Sequence, residues 1–270
     1  LCNYTHYSLQ RGFSKPRQLS KKCSENFYPA CGIADYKSIS GAVSFYQACL
    51  ENNVKPIIGC SFGSFSLFAK NKDGWLNLIE LVSSLGIDGN LDTNTLLTIT
   101  GLGNLISVAT SESTSPIKGE DFYLKSEAFM DIYYTDKEDA DLHRITLCSS
   151  MKTTLPKISK AMKKGEEVEN HSFFESNDYY LKNKTEIGEV IINDNKLNLF
   201  KEIYDKCKNY NILSQPILPN FTTPNGESQR DYLKGLARLG WTEFLANKIT
   251  DEEEKKVYGD GTRKNWTGHE

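Results

Sequence analysis

Three consecutive segments near the start of the chain constrain its fold most. Tyr28 to Ala34 is a short apolar run suited to a buried strand. Ser40 to Asn52 places Ala42, Tyr46, Cys49 and Leu50 on one helical face. Lys55 to Cys60 is a second apolar run, opened by Pro56, which the first residues of a strand tolerate. Strand, helix and strand in this order make a βαβ unit, and a crossover of this length joins parallel strands. The chain is therefore read as α/β, either a barrel or an open sheet.

The remaining segments extend that reading. Phe62 to Ala69 is a further strand, and Trp75 to Leu85 a helix with Leu78, Leu81, Val82 and Leu85 inward. Leu96 to Ile99, Leu105 to Ala109, Asp121 to Leu124 and Ile132 to Tyr134 read as short strands, with a turn-rich break at Ser111 to Pro116. Lys137 to Ser149 is helical, with Asp136 placed to cap it. Lys196 to Lys208 carries the stripe Leu199, Phe200, Ile203, Tyr204 and Cys207. Pro216 to Pro224 is extended, because its prolines forbid regular helix. Ser228 to Ala246 is an amphipathic helix through Tyr232, Leu233, Leu236 and Leu239, and Asp251 to Lys256 a charged helical turn. Two regions follow: a barrel-like domain over 1–215, and an extended linker and helix over 216–270.

With 39% apolar and 25% charged residues, the 270-residue chain can bury a large core. A net charge of -3 offers no global attraction to a nucleic-acid backbone, so such contact needs a local basic patch. No run approaches the roughly 18–20 apolar residues of a membrane helix. The chain starts Leu1-Cys2-Asn3, with no signal peptide, and reads as a fragment. Seven cysteines without a CxxC pair argue against a disulfide framework or zinc knuckle, and point to reduced thiols in a cytoplasmic protein.

Several motifs carry a family resemblance. Tyr7-Ser8-Leu9 with Gly12 is similar to L-H-V-H-S-E-Y-S-L-L-D-G. Ile33-Ala34-Asp35 with Gly41 to Tyr46 is similar to T-D-H-G-N-M-x-G-A-V-E-F-Y. Lys55-Pro56-Ile57-Ile58-Gly59-Cys60 is close to K-P-I-I-G-C-E. Asp136 to Leu147, containing Glu138-Asp139-Ala140 and His143, resembles P-E-D-A-E-A-H-D-V-L-L. Pro216 to Phe221, leading to Tyr232-Leu233, resembles L-P-x-F-x-x-P followed by Y-L. Order and spacing resemble the N-terminal PHP (polymerase and histidinol phosphatase) domain of the alpha subunit of bacterial DNA polymerase III. Residues 86–130 match poorly, and Gly261 to Glu270 does not match.

The resemblance implies a distorted (β/α)7 barrel with His, Asp and Glu ligands for a di- or trinuclear metal cluster at its mouth. Such a cluster makes hydroxide from bound water and clamps a phosphate. Residue by residue, the ligand set is depleted. The family's H-x-H falls on Cys2 and Tyr4, and the Asp of L-L-D-G on Arg11. T-D-H keeps Asp35 but has Tyr36 for its His, and the Glu after G-C becomes Ser61. N-D-x-H falls on Met130 to Tyr133, keeping Asp131 and losing its His to Tyr133. Neutral Tyr is a poor zinc ligand, and Arg11 places a fixed positive charge where cations would sit, free to pair with Asp35 or Asp131. The expectation is a vestigial site without metal, Asp35 and Asp131 being the weak candidates.

Other candidates have plainer readings. Cys2, Asp35, Cys60 and Asp131 could form a mixed zinc site, against Cys60 as a packed strand residue and Cys2 as a frayed end. His143 would contact Asp139 across one helical turn. His6 faces solvent or the vestigial site, and His171 has nothing nearby to recruit it. Lys157, Lys160, Lys163 and Lys164 could touch a DNA backbone, but Glu166, Glu167 and Glu169 favour a solvated helix face.

The resemblance implies a structural and docking domain of a DNA-directed DNA polymerase, a nucleotidyltransferase whose palm binds Mg2+ outside this chain. Its partners would be that polymerase's palm and thumb, a proofreading exonuclease subunit, and primer-template DNA through the full-length protein, in a bacterium or a phage-infected host. The alternatives are an active PHP phosphoesterase or 3′–5′ exonuclease, and a free-standing binding protein.

Overall fold

A computed structural model of the chain describes residues 2–89, 93–125, 131–190, 194–215 and 220–248. It divides into two units, 1–213 and 214–270. The first unit opens with α1 (Pro16–Glu25), whose Pro16 sits where a helix needs no N–H donor. There follow β1 (Ala30–Tyr36), α2 (Ala42–Glu51), β2 (Lys55–Ser61), β3 (Phe65–Ala69) and α3 (Lys72–Asp88). The Asn71 side chain accepts from the Gly74 N–H at 2.8 Å to start α3, and Gly89, at φ 71°, ends it. Next come α4 (Thr93–Thr100), β4 (Leu105–Ala109) and β5 (Phe122–Leu124). The unit continues with α5 (Ala140–Ser150), α6 (Leu155–Lys163), α7 (His171–Glu175), α8 (Lys184–Val190) and α9 (Asp194–Lys206).

The five strands form one mixed sheet in the order β1-β2-β3-β4-β5. The expected βαβ unit is present, with β1 and β2 parallel and Asp35 opposite Cys60. β3 is antiparallel to both neighbours, and β4 and β5 are parallel. Gly59 is required where β2 meets β3: an added Cβ would lie 2.5 Å from the Phe68 ring. Beyond β1 the pairing continues through single bridges. The Ala34 N–H donates to Asn3, Asn3 pairs with Ile132, and Tyr134 pairs with Tyr180. The expected strand Ile132 to Tyr134 is thus reduced to bridging residues. Among the described residues no backbone hydrogen bond pairs β5 with this edge, so the sheet is not closed.

Both faces of the sheet are buried, which explains its nearly continuous apolar runs. Ile33, Ile58, Leu67 and Leu105 pack with Leu19, Phe45, Leu78 and Leu81 of α1, α2 and α3. Their strand neighbours Ala34, Ile57, Phe68 and Ile106 pack with Ile203 and with Cys207, just beyond α9. On α2, Ala42, Tyr46 and Cys49 face inward as expected, but Leu50 is exposed and Phe45 takes the central position. Leu96 to Ile99, expected as a strand, lies within α4: its apolar run is too short to distinguish the two periods. The stretch from Lys137 begins as a 3-10 turn before α5. Asp136 makes no side-chain cap there and instead pairs with Lys22 at 2.6 Å.

The second unit contains α10 (Gln229–Lys248). Its approach is fixed locally by Phe221 stacked on Tyr232 at 5.5 Å, and by Gln229 donating to the Phe221 carbonyl at 2.6 Å. Leu233, Leu236 and Leu239, the leucines of its amphipathic stripe, are exposed at 67%, 49% and 64%. Residues 216–219 of the expected extended stretch, and the expected turn at 251–256, lie outside the described residues.

Candidate functional site

The carboxyl ends of β1 and β2 meet segment 2–14 and residues 131–134, which gathers most of the positions singled out in the sequence. Asp35, the penultimate residue of β1, is fully buried. One carboxylate oxygen accepts from the Thr5 N–H at 2.7 Å and the Ser8 hydroxyl at 2.6 Å. The other accepts from the Thr5 hydroxyl at 2.8 Å. Burial pushes the Asp35 carboxyl up, opposed by these bonds from Ser8 and Thr5. Gly41 is pressed against this knot: an added Cβ would stand 2.8 Å from Tyr7 Cδ2 and 3.0 Å from Asp35 Oδ2.

Where the resemblance calls for imidazoles there are packed rings. Tyr4 and Tyr133 stack at 4.7 Å, and the Tyr4 hydroxyl shares a hydrogen bond with Ser61 Oγ at 3.2 Å. Phe173 meets Tyr133 edge-on at 4.8 Å and Tyr179 at 4.5 Å. Burial drives the Tyr4 and Tyr133 phenols well above their usual range, and Asp131 adds to both shifts. Both therefore stay protonated. Cys2 is buried rather than frayed, and burial raises its thiol too. Cys60 donates from Sγ to the Asp35 carbonyl at 3.5 Å, with burial pushing its pKa up to about 12.

The charged groups do not pair as expected. Arg11 binds neither Asp35 nor Asp131: its guanidinium lies over the Tyr36 ring, 3.8 Å from the centroid. Asp131 is held through Oδ2 by Lys125 at 2.6 Å, while its buried Oδ1 has no hydrogen-bond partner among the described residues. His143 does not contact Asp139. It is buried among Tyr133, Tyr134 and Phe173, and its Nε2 donates to the Arg11 carbonyl at 2.6 Å. Burial lowers its pKa to about 4. His6 is exposed beside Tyr7, and His171 does have a partner, Glu175, at 3.3 Å. Lys157, Lys160, Lys163 and Lys164 are exposed on and beside α6.

The donors present do not fit a multinuclear metal centre. Asp35 spends its oxygens on Thr5 and Ser8, and Asp131 offers one free oxygen beside the Lys125 ammonium. Among the described residues, no three His, Cys, Asp or Glu side chains gather so as to hold an ion, Cys2, Asp35, Cys60 and Asp131 included. Met130 lies outside the described residues. Sequence reasoning missed Thr5, Lys125 and Tyr179: a short polar residue, a lysine and a tyrosine leave no spacing signal that they will enclose a carboxylate or fill a mouth.

The family model of the PHP domain matches residues 3–182. The DNA polymerase III subunit alpha of Halalkalibacterium halodurans is 24% identical over 298 aligned residues, covering 94% of this chain and 27% of that protein. That of Borreliella burgdorferi is 25% identical over 324, covering 92% and 27%. That of Buchnera aphidicola subsp. Schizaphis graminum is 37% identical over 91, covering 30% and 8%. The chain therefore spans less than a third of the length of these relatives. Among the described residues, no helix is long and apolar enough to cross a membrane.

Proposed function

The chain belongs to the PHP domain family, and from that premise we propose that it is the N-terminal, non-hydrolytic PHP domain of a DNA polymerase III alpha subunit. Its distorted (β/α)7 barrel serves as scaffold and docking domain for a replicative DNA-directed DNA polymerase in the cytoplasm. The observation that carries this reading is the stacked pair Tyr4 and Tyr133, with Tyr4 closed onto Ser61, at positions matching metal ligands in the family. Protonated phenols and a hydroxyl supply no anionic cage for two cations. Nucleotide addition, with its Mg2+, belongs to a palm outside this chain. The exposed leucines of α10 would pack on palm or thumb, and a proofreading exonuclease subunit and primer-template DNA complete the assembly.

The competing reading is an active phosphoesterase or 3′–5′ exonuclease, for which Asp35 is the one fully buried acid at the mouth. The test is Mn2+-dependent release of nucleotides from a primer 3′ end. The scaffold reading expects no release above a no-protein control. Robust release that Asp35→Ala abolishes would establish the hydrolytic reading instead. A free-standing binding protein is distinguished by a reading frame lacking palm motifs downstream of Glu270.

A further inference from the structure

The rim above the aromatic stack carries two cations with no ionic partner among the described residues. The Arg11 guanidinium and the Lys37 ammonium lie 3.8 Å and 5.5 Å from the centroid of the same Tyr36 ring. Both residues are exposed. Neither makes an ion pair with a carboxylate among the described residues, where Lys22, Lys70, Lys125 and Lys206 all do.

Their backbones are held firmly. The Arg11 N–H donates to the Ser8 carbonyl at 2.9 Å, and the Arg11 carbonyl accepts from His143 at 2.6 Å. The Lys37 N–H donates to the Ser61 carbonyl at 2.8 Å. Lys37 has φ 51°, and Gln10, before Arg11, has φ 61°. Left-handed backbone is disfavoured for non-glycine residues and persists where surrounding structure imposes it. Here it places both cations at the carboxyl ends of two adjacent parallel strands, where α/β sheets bind ligands. His6 and Tyr7, with ring centroids 4.4 Å apart, add an aromatic surface on the same loop. Of the described acids nearby, Asp35 is turned inward onto Thr5 and Ser8 and Asp131 is paired with Lys125, so neither carboxylate occupies the Arg11 or Lys37 head group.

We propose that Arg11 and Lys37 form a site for the phosphate of a nucleotide, which is bound and not cleaved. A guanidinium fork with no hydrogen-bonded carboxylate among the described residues suits phosphate oxygens, a second cation beside the same ring raises the affinity, and the rings suit a base. The inference rests on the reading that this mouth holds no hydrolytic metal centre. The phosphate could belong to a free nucleotide or to a strand.

The test uses the 270-residue chain in EDTA, titrated with inorganic phosphate, dTMP and a short fluorescent oligothymidylate between about 50 and 200 mM salt. Saturable binding is expected, weakened by salt. Arg11→Ala and Lys37→Gln should each weaken it about tenfold, as loss of a charge-assisted contact does. Arg11→Lys, which keeps the charge without the fork, should fall between. For oligothymidylate, the double variant should flatten the log-affinity against log-salt slope by about 1.4, for two phosphate contacts on a single strand. A control change of Lys157→Gln with Lys160→Gln should leave binding intact. Competition by dTMP assigns the site to free nucleotides, and binding of oligothymidylate alone assigns it to a strand. Unaltered binding in the Arg11/Lys37 double variant, or no binding of any probe, would overturn the proposal. Cleavage of the oligothymidylate when Mn2+ replaces EDTA, lost in Asp35→Ala, would instead sink the non-hydrolytic reading while leaving the anion site standing.

Discussion

Gly41 shows how tightly the mouth is built at the level of single side chains. A methyl there would meet Tyr7 and the Asp35 carboxylate, so Gly41→Ala should lower unfolding stability by about 1–3 kcal/mol in a denaturant titration. His143 gives the site a pH signature. Its folded pKa is about 4 against an ordinary 6.5. Between those values the unfolded chain binds more protons, so this contribution is full above 6.5 and is lost as pH falls toward 4. Asp35 acts in the opposite sense, since its raised folded pKa makes stability fall as pH rises through it. His143→Gln keeps a donor for the Arg11 carbonyl and isolates the histidine. Wild type should lose roughly 2–4 kcal/mol more than this variant between pH 7 and 4, and equal losses would contradict the burial argument. At this scale the sequence announced substitutions rather than contacts. Tyr4, Tyr36 and Tyr133 could be read as lost imidazoles, but Arg11 settling on Tyr36 instead of a carboxylate could not, because ring stacking leaves no spacing signature.

Elements were legible where period and length agreed. The β1–α2–β2 unit follows from two apolar runs and one helical stripe, and the helix through Leu78 and Leu81 was equally plain. Leu96 to Ile99 of α4 reads equally as a strand because four apolar residues fit either period, whereas α10 forms where its amphipathic stripe places it, though amphipathicity marks a face without saying what covers it. The contrast between α3 and α10 can be measured. Leu78→Ala in the buried face of α3 should cost about 2–5 kcal/mol. Leu236→Ala, on a side chain 49% exposed, should stay within about 0.5 kcal/mol. A large loss at Leu236 would mean that the α10 face is covered within the chain itself.

For the molecule as a whole, the first unit keeps a sheet buried on both faces while its carboxyl-end mouth is filled by rings and hydrogen-bonded hydroxyls. That division separates what the PHP fold needs to stand from what a metal-dependent hydrolase needs to work. The central claim is that the mouth has traded ligands for packing, and metal content tests it most directly. The purified chain should be equilibrated with Zn2+ or Mn2+, passed through a desalting column, and assayed for bound ions per chain. This account predicts less than one ion per chain, unchanged by Asp35→Ala. Two or more tightly held ions, lost on that substitution, would contradict it.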